Sequence, residues 1–142
     1  MLKFYLFSAL SLILLGGCAS SEHKQQTDDG KPAYPDLVEL KDPETTPHQN
    51  GKVYVDSVRQ VTVKSREALL ISGSLADGCT HLASIDHRIA GQTLIIELSA
   101  WRNADRMCTQ ALVPFSFIYD KLKPEELKEY STATINGQKY SL

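Results

Sequence analysis

The sequence has no apolar stretch long enough to cross a bilayer, no run of basic residues, and none of the short signatures that mark common catalytic sites. Each absence removes a class of function. The most apolar run, Phe4 to Leu15, has 12 residues, whereas a hydrocarbon core of roughly 30 Å needs about 20. The 15 Lys and Arg are interspersed with 17 Asp and Glu, giving a formal net charge of −2. That distribution leaves no electrostatic footprint for nucleic acid, and no such partner is expected. Gly-x-Ser-x-Gly, His-Glu-x-x-His and a phosphate-binding loop are missing. Ser84, Asp86 and His87 lie close in sequence, but adjacent strand residues point to opposite faces, so Asp86 and His87 are poorly placed to cooperate. We therefore expect no catalytic residue, no cofactor and no enzymatic activity. His87, on an otherwise apolar face, reads as a satisfied core or rim histidine.

What is present begins with an export signal. Lys3 precedes the apolar run, which ends at Leu15-Gly16-Gly17-Cys18. These four residues, placed directly after that run, resemble the bacterial lipobox. The resemblance implies cleavage before Cys18 and a lipidated N-terminus at the Cys18 thiol. Two or more acyl chains anchor stably, each buried methylene contributing about 0.8 kcal/mol. Ala19 follows, not the Asp that signals inner-membrane retention in enterobacterial lipoproteins. The resemblance therefore points to the periplasmic face of the outer membrane, or to the cell membrane of an organism with only one.

From Ala19 to Gly51 the composition is polar and four of the six prolines occur, at 32, 35, 43 and 47. Such a segment buries too little surface to offset its ordering entropy. The expected organisation is a signal peptide over 1–17, a lipidated N-terminus and flexible tether over 18–51, and a folded domain over 52–142. His23 and His48 read as solvated tether residues.

Within the domain, alternation and β-branched residues dominate. Val53 to Val63 carries a possible bulge near Ser57–Arg59, and Ala68 to Leu75 contains Gly73, which allows close backbone approach. His81–Ile89 and Thr93–Ser99 form a hairpin around Ala90-Gly91, with Ala83, Ile85, His87 and Ile89 on one face of the first strand and Leu94, Ile96 and Leu98 on one face of the second. Pro114 suggests an edge position or a bulge for the strand over 111–119, and Pro124 opens a single helical turn. Asn136-Gly137 is a type I′ turn between the last two strands. About seven short antiparallel strands and no long helix predict an all-β fold, an immunoglobulin-like β-sandwich, with a small barrel as the alternative.

Three cysteines are an odd number for an exported protein. With Cys18 assigned to lipid, Cys79 and Cys108 remain. One precedes and the other follows the hairpin, so both lie toward its open end, and a disulfide is the default in that compartment. A metal site using Cys79, His81, Cys108 and His87 competes with it, but His81 and His87 are separated by several strand residues at about 3.3 Å each; no metal is expected. Asp77-Gly78-Cys79-Thr80 and RNADRMCTQALVPF (102–115) resemble a family of uncharacterised bacterial secreted proteins and lipoproteins with a Gly-Cys-Thr…Cys-Thr-Gln-x-Leu-Val-Pro-Phe signature. The similarity runs from about Leu75 to the C-terminus. It implies a disulfide-bonded β-domain and no particular activity; Arg102-Asn103 replaces the family's Arg-Pro, so the loop shape differs there. The segment Trp101–Gln110 reads as a surface loop in which Trp101, Arg102 and Arg106 are candidate binding residues. The functional expectation is a lipid-anchored accessory module that binds an envelope protein; the alternative is an inhibitor of an envelope-directed lysozyme or protease.

Overall fold

A computed structural model describes residues 34–142, which fall within one compact unit, Pro32–Leu142. The export signal and Cys18 lie outside the described residues. Eight strands and one short helix follow in order: β1 (His48–Asn50), β2 (Val53–Val63), β3 (Arg66–Leu75), β4 (Thr80–Ala90), β5 (Thr93–Asn103), β6 (Val113–Tyr119), α1 (Pro124–Glu129), β7 (Thr132–Ile135) and β8 (Gln138–Ser141). The fold is all-β. One sheet has the order β2-β3-β6; in the other, β5 is central, with β4 along one edge and β1 and β7 on the other, and β8 beside β7. Val58, Leu69, Ile71, Leu75, Phe115 and Tyr119 of the first sheet meet Leu82, Ile85, Leu94, Ile96, Leu98 and Ile135 of the second in one buried cluster, which makes the molecule a sandwich.

Two bulges set the phase of the strands. The bulge in β2 falls between Val55 and Ser57, just before the expected place. The bulge in β4, between Leu82 and Ser84, was not expected, and it shifts the inward series. Leu82 and Ile85 are buried, while Ala83 and Ile89 are not. Strand β6 borders its sheet and pairs with β3 in unbroken register, so of the two readings of Pro114, edge or bulge, the edge holds. His87 is satisfied as expected: Nδ1 hydrogen-bonds the hydroxyl of buried Tyr119 and Nε2 lies 3.7 Å from Glu126 of α1. Burial, with the carboxylates of Asp86, Glu126 and Asp120 adding to it, pushes the Tyr119 phenol up to about 12.

Pairing of β7 with β5 is parallel, unlike every other strand pair. A parallel neighbour needs a crossover, and the route through β6 and α1 supplies it. Register holds only over Leu94–Ile96; beyond that, Asn136 continues the ladder with its side chain. The Leu98 amide donates to Asn136 Oδ1 at 2.9 Å, and Asn136 Nδ2 donates to the Leu98 carbonyl at 3.2 Å. The same residue occupies the positive-φ position (46°) of the expected Asn-Gly turn. Asn136→Gly preserves the turn and removes both amide bonds. We expect it to cost about 1–3 kcal/mol, because the Leu98 groups lose their partners. Urea denaturation with an unchanged m-value checks this; a loss under about 0.5 kcal/mol would mean that water substitutes fully.

The tether boundary at residue 51 must be corrected, because residues 36–50 lie on the sandwich. Ser116 N–H donates to the Asp36 carbonyl and Val38 N–H to the Ser116 carbonyl, both on the outer edge of β6. Lys41 N–H then donates to the Leu82 carbonyl on the edge of β4. His48–Asn50 pair with Asn103–Trp101 on the opposite edge of β5. Residues 36–41 thus close the side between β4 and β6, and residues 42–47 cross the outer face of the second sheet. Composition missed this strap because backbone groups, not apolar side chains, make most of its attachments.

Candidate functional site

The strap, the β3–β4 turn and the β5–β6 loop meet at one end of the second sheet. Asp77 organises the turn. Its Oδ1 accepts from the Cys79 amide at 3.0 Å and from the Thr80 hydroxyl at 2.7 Å, and its Oδ2 accepts from Arg102 Nε at 2.8 Å. Desolvation works to raise the Asp77 carboxyl pKa, but the hydrogen bonds from Thr80, Cys79 and Arg102, together with the Arg102 charge, outweigh it and hold the group below its ordinary value. Beside the turn, Cys79 and Cys108 are bonded, with a Cα–Cα separation of 5.5 Å. The disulfide expectation holds, and both sulfurs are thereby withdrawn from the competing metal site. Gly78 N–H also donates to the Thr109 carbonyl at 3.1 Å, a second tie on the same loop.

Sequence reasoning placed Trp101 in a surface loop, and here it must be corrected. Trp101 belongs to β5, and only 4% of it is exposed. Its position alternates with Leu94, Ile96 and Leu98, so it faces outward from the sheet rather than into the sandwich core. The strap covers it. Trp101 Nε1 donates to the Lys41 carbonyl, the Lys41 ammonium lies 5.9 Å from the indole centroid, and His48 meets the ring edge-on at 6.0 Å. His81, directly opposite on β4, packs against it at 4.7 Å. Trp101 is thus a positioning residue for the strap. Periodicity could have revealed this, since Trp101 continues the β5 alternation.

Arg102 is also on β5, half-buried and engaged with Asp77. Of the three candidates only Arg106 lies in the loop proper, which spans residues 104–112. There Arg106, Met107 and Leu112 are exposed, Met107 fully so. A cleft of about 430 Å³ opens between strap and loop, lined by Lys41, Pro47, His81, Trp101, Asp105 and Arg106 among others. A second, of about 410 Å³, lies on the other side of the loop and shares Arg106. Desolvation, and then the nearby Lys41 charge, push the His81 imidazole below its usual pKa; Asp77 opposes them without prevailing. Among the described residues no three His, Cys, Asp or Glu side chains are grouped to hold a metal.

A β-sandwich stapled by a disulfide beside an exposed loop defines the class of this molecule. The model of the ORF11 beta-sandwich domain matches residues 69–142, more than half of the chain, and the chain belongs to that family. The match begins inside β3, so β1, β2 and the strap precede it. Among curated proteins the chain is similar to an uncharacterised 10.2 kDa protein in the HgiCIIM 5′ region of Herpetosiphon aurantiacus, 42% identical over 59 residues that make up 39% of this chain and 63% of the relative. It is also similar to an uncharacterised 10.2 kDa protein in the HgiBIM 5′ region of the same organism, 44% identical over 46 residues, 32% of this chain and 56% of that one. The chain thus spans less than two thirds of the length of either relative. No solved structure matches it.

Proposed function

We propose that this chain is an envelope lipoprotein, anchored through lipid on Cys18 at the periplasmic face of the outer membrane, whose sandwich is a non-catalytic binding module. The contact surface is the stapled end, where the 104–112 loop presents Met107, Leu112 and Arg106 beside an open cleft. That display carries the reading. A fully exposed Met and an exposed Leu on a covalently held loop are apolar contacts made available at little ordering cost. The lipobox-like Leu-Gly-Gly-Cys supports the anchor, and the disulfide is in keeping with an oxidising compartment.

Metabolic labelling with a fatty-acid analogue should mark the wild-type chain and not Cys18→Ser; label on the variant would remove the anchor. Cross-linking in envelope extracts should capture a protein partner with wild type and lose it with Met107→Asp/Leu112→Asp. Equal capture by that variant would remove the loop from the contact surface. Capture of one hydrolase at equal stoichiometry would convert the accessory role into inhibition. Trp101→Ala is unsuited to this comparison, because it strips the strap of its indole attachment.

A further inference from the structure

The cleft between strap and loop holds an uneven set of charges. Lys41 stands on one wall and Arg106 on the other, and among the described residues neither lies within ion-pair distance of a carboxylate. Arg102, the third cation nearby, is occupied by Asp77 at 2.8 Å. Among the described residues Asp105 is the one acid that lines the cleft. The floor is made by Trp101 and His81, whose rings pack against each other at a tilt of 38°. Two cations with no carboxylate partner among the described residues, over an aromatic floor, are arranged to receive negative charge, and a guanidinium and an ammonium lining one cleft suit an oxyacid group in particular.

We propose that this cleft is an anion site which takes the carboxylate or phosphate group of a ligand between Lys41 and Arg106. The proposal rests on the binding-module reading and names the chemistry its cleft would recognise. Trp101 contributes by holding the Lys41 carbonyl, which fixes the strap and hence one of the two cations. His81 contributes a proton-linked increment. The charges that face it are Lys41 from the strap and Asp77 from the turn, with Asp105 and Arg106 on the loop and His48 on β1 nearby. A bound anion offsets the Lys41 charge and raises the His81 pKa. By linkage, affinity therefore rises as pH falls through the His81 titration.

The only tryptophan of the chain sits in the cleft floor and serves as the reporter. Inorganic phosphate and acetate are titrated separately at constant ionic strength, so that general screening does not change. The expected result is a saturable change in Trp101 fluorescence with at least one of them. The stronger responder identifies the group as phosphate or carboxylate. Lys41→Gln and Arg106→Gln should each weaken binding about tenfold, the usual effect of removing one charge-assisted hydrogen bond. Asp105→Asn should tighten it, and the His81 imidazole resonance should titrate at higher pH in the bound form. No saturable response to either anion, or unchanged affinity in both cation variants, overturns the proposal. If both anions fail while Met107→Asp/Leu112→Asp still abolishes partner capture, the anion site fails and the binding-module reading stands.

Discussion

Gly73→Ala should destabilise the domain by at least about 3 kcal/mol, the upper end of the cost of overpacking a core. Gly73 lies in β3, opposite Val55 on one side and Phe115 on the other, at the place where β2 bulges. A methyl group there would overlap the carbonyl oxygen of Tyr54 and press on the carbonyl carbon at 2.9 Å and on the Val55 Cα at 3.0 Å. All three are backbone atoms, so no flexible side chain can swing away. Relief requires β2 to shift against β3, and that pairing is the longer of the two in the first sheet, running from Val53–Leu75 to Val63–Arg66. For a domain of this size the expected fall in Tm is about 12–24 °C. Gly78→Ala is the matched control. Its Cβ would meet Thr109 atoms at 3.5 Å or more, an ordinary van der Waals contact, and the change should remain within about 0.5 kcal/mol. Equal melting temperatures for the two variants would show that β2 yields without cost and that the bulge is not held by its glycine.

Gly73 was readable as a close-approach glycine from the sequence because an isolated glycine in a strand pattern has few other uses. The Asn136-Gly137 turn was readable for a similar reason, since few residue pairs accept two positive φ angles. What escaped notice was either non-local or locally disguised. The β2–β3 turn places Lys64 and Ser65 at φ of 49° and 63°, a hairpin geometry normally signalled by Asn or Gly, so the sequence offered no marker. The parallel pairing of β7 with β5 depends on where the chain returns after β6 and α1, which no window of residues encodes. The strap is disguised most completely. Prolines 35, 43 and 47 lie in it or at its start, and its composition is that of a solvated segment. Yet Lys41 and Val38 each place one backbone amide against an unpaired carbonyl of an edge strand. The strap also hides the role of Trp101, because an indole on the outer face of a sheet has the character of an exposed anchor unless another segment covers it.

Replacing Cys79 and Cys108 by serine should lower stability by about 3–4 kcal/mol, the chain-entropy estimate for a loop closed across a sequence separation of 29. The sandwich itself should persist. Its core cluster contains neither cysteine, and the Asp77–Arg102 pair ties the β3–β4 turn to β5 independently of the sulfurs. What should be lost is the fixed position of residues 105–112, because the Ala104–Pro47 hydrogen bond holds only the start of the loop and the Gly78–Thr109 hydrogen bond is left to hold the rest. A single exposed hydrogen bond contributes only about 1 kcal/mol, too little to hold a loop closed against its own entropy. Two measurements separate these effects. Chemical denaturation reports the global loss, and limited trypsin digestion reports the loop, because Arg106 is an exposed cleavage site whose access depends on local opening. The expected outcome is rapid cleavage after Arg106 in the serine variant under conditions where the oxidised chain resists and where both remain folded. If the serine variant resists trypsin as well as the oxidised chain does, the loop is held by its hydrogen bond and side-chain packing. The disulfide would then stabilise the sandwich without shaping the surface that Arg106, Met107 and Leu112 present.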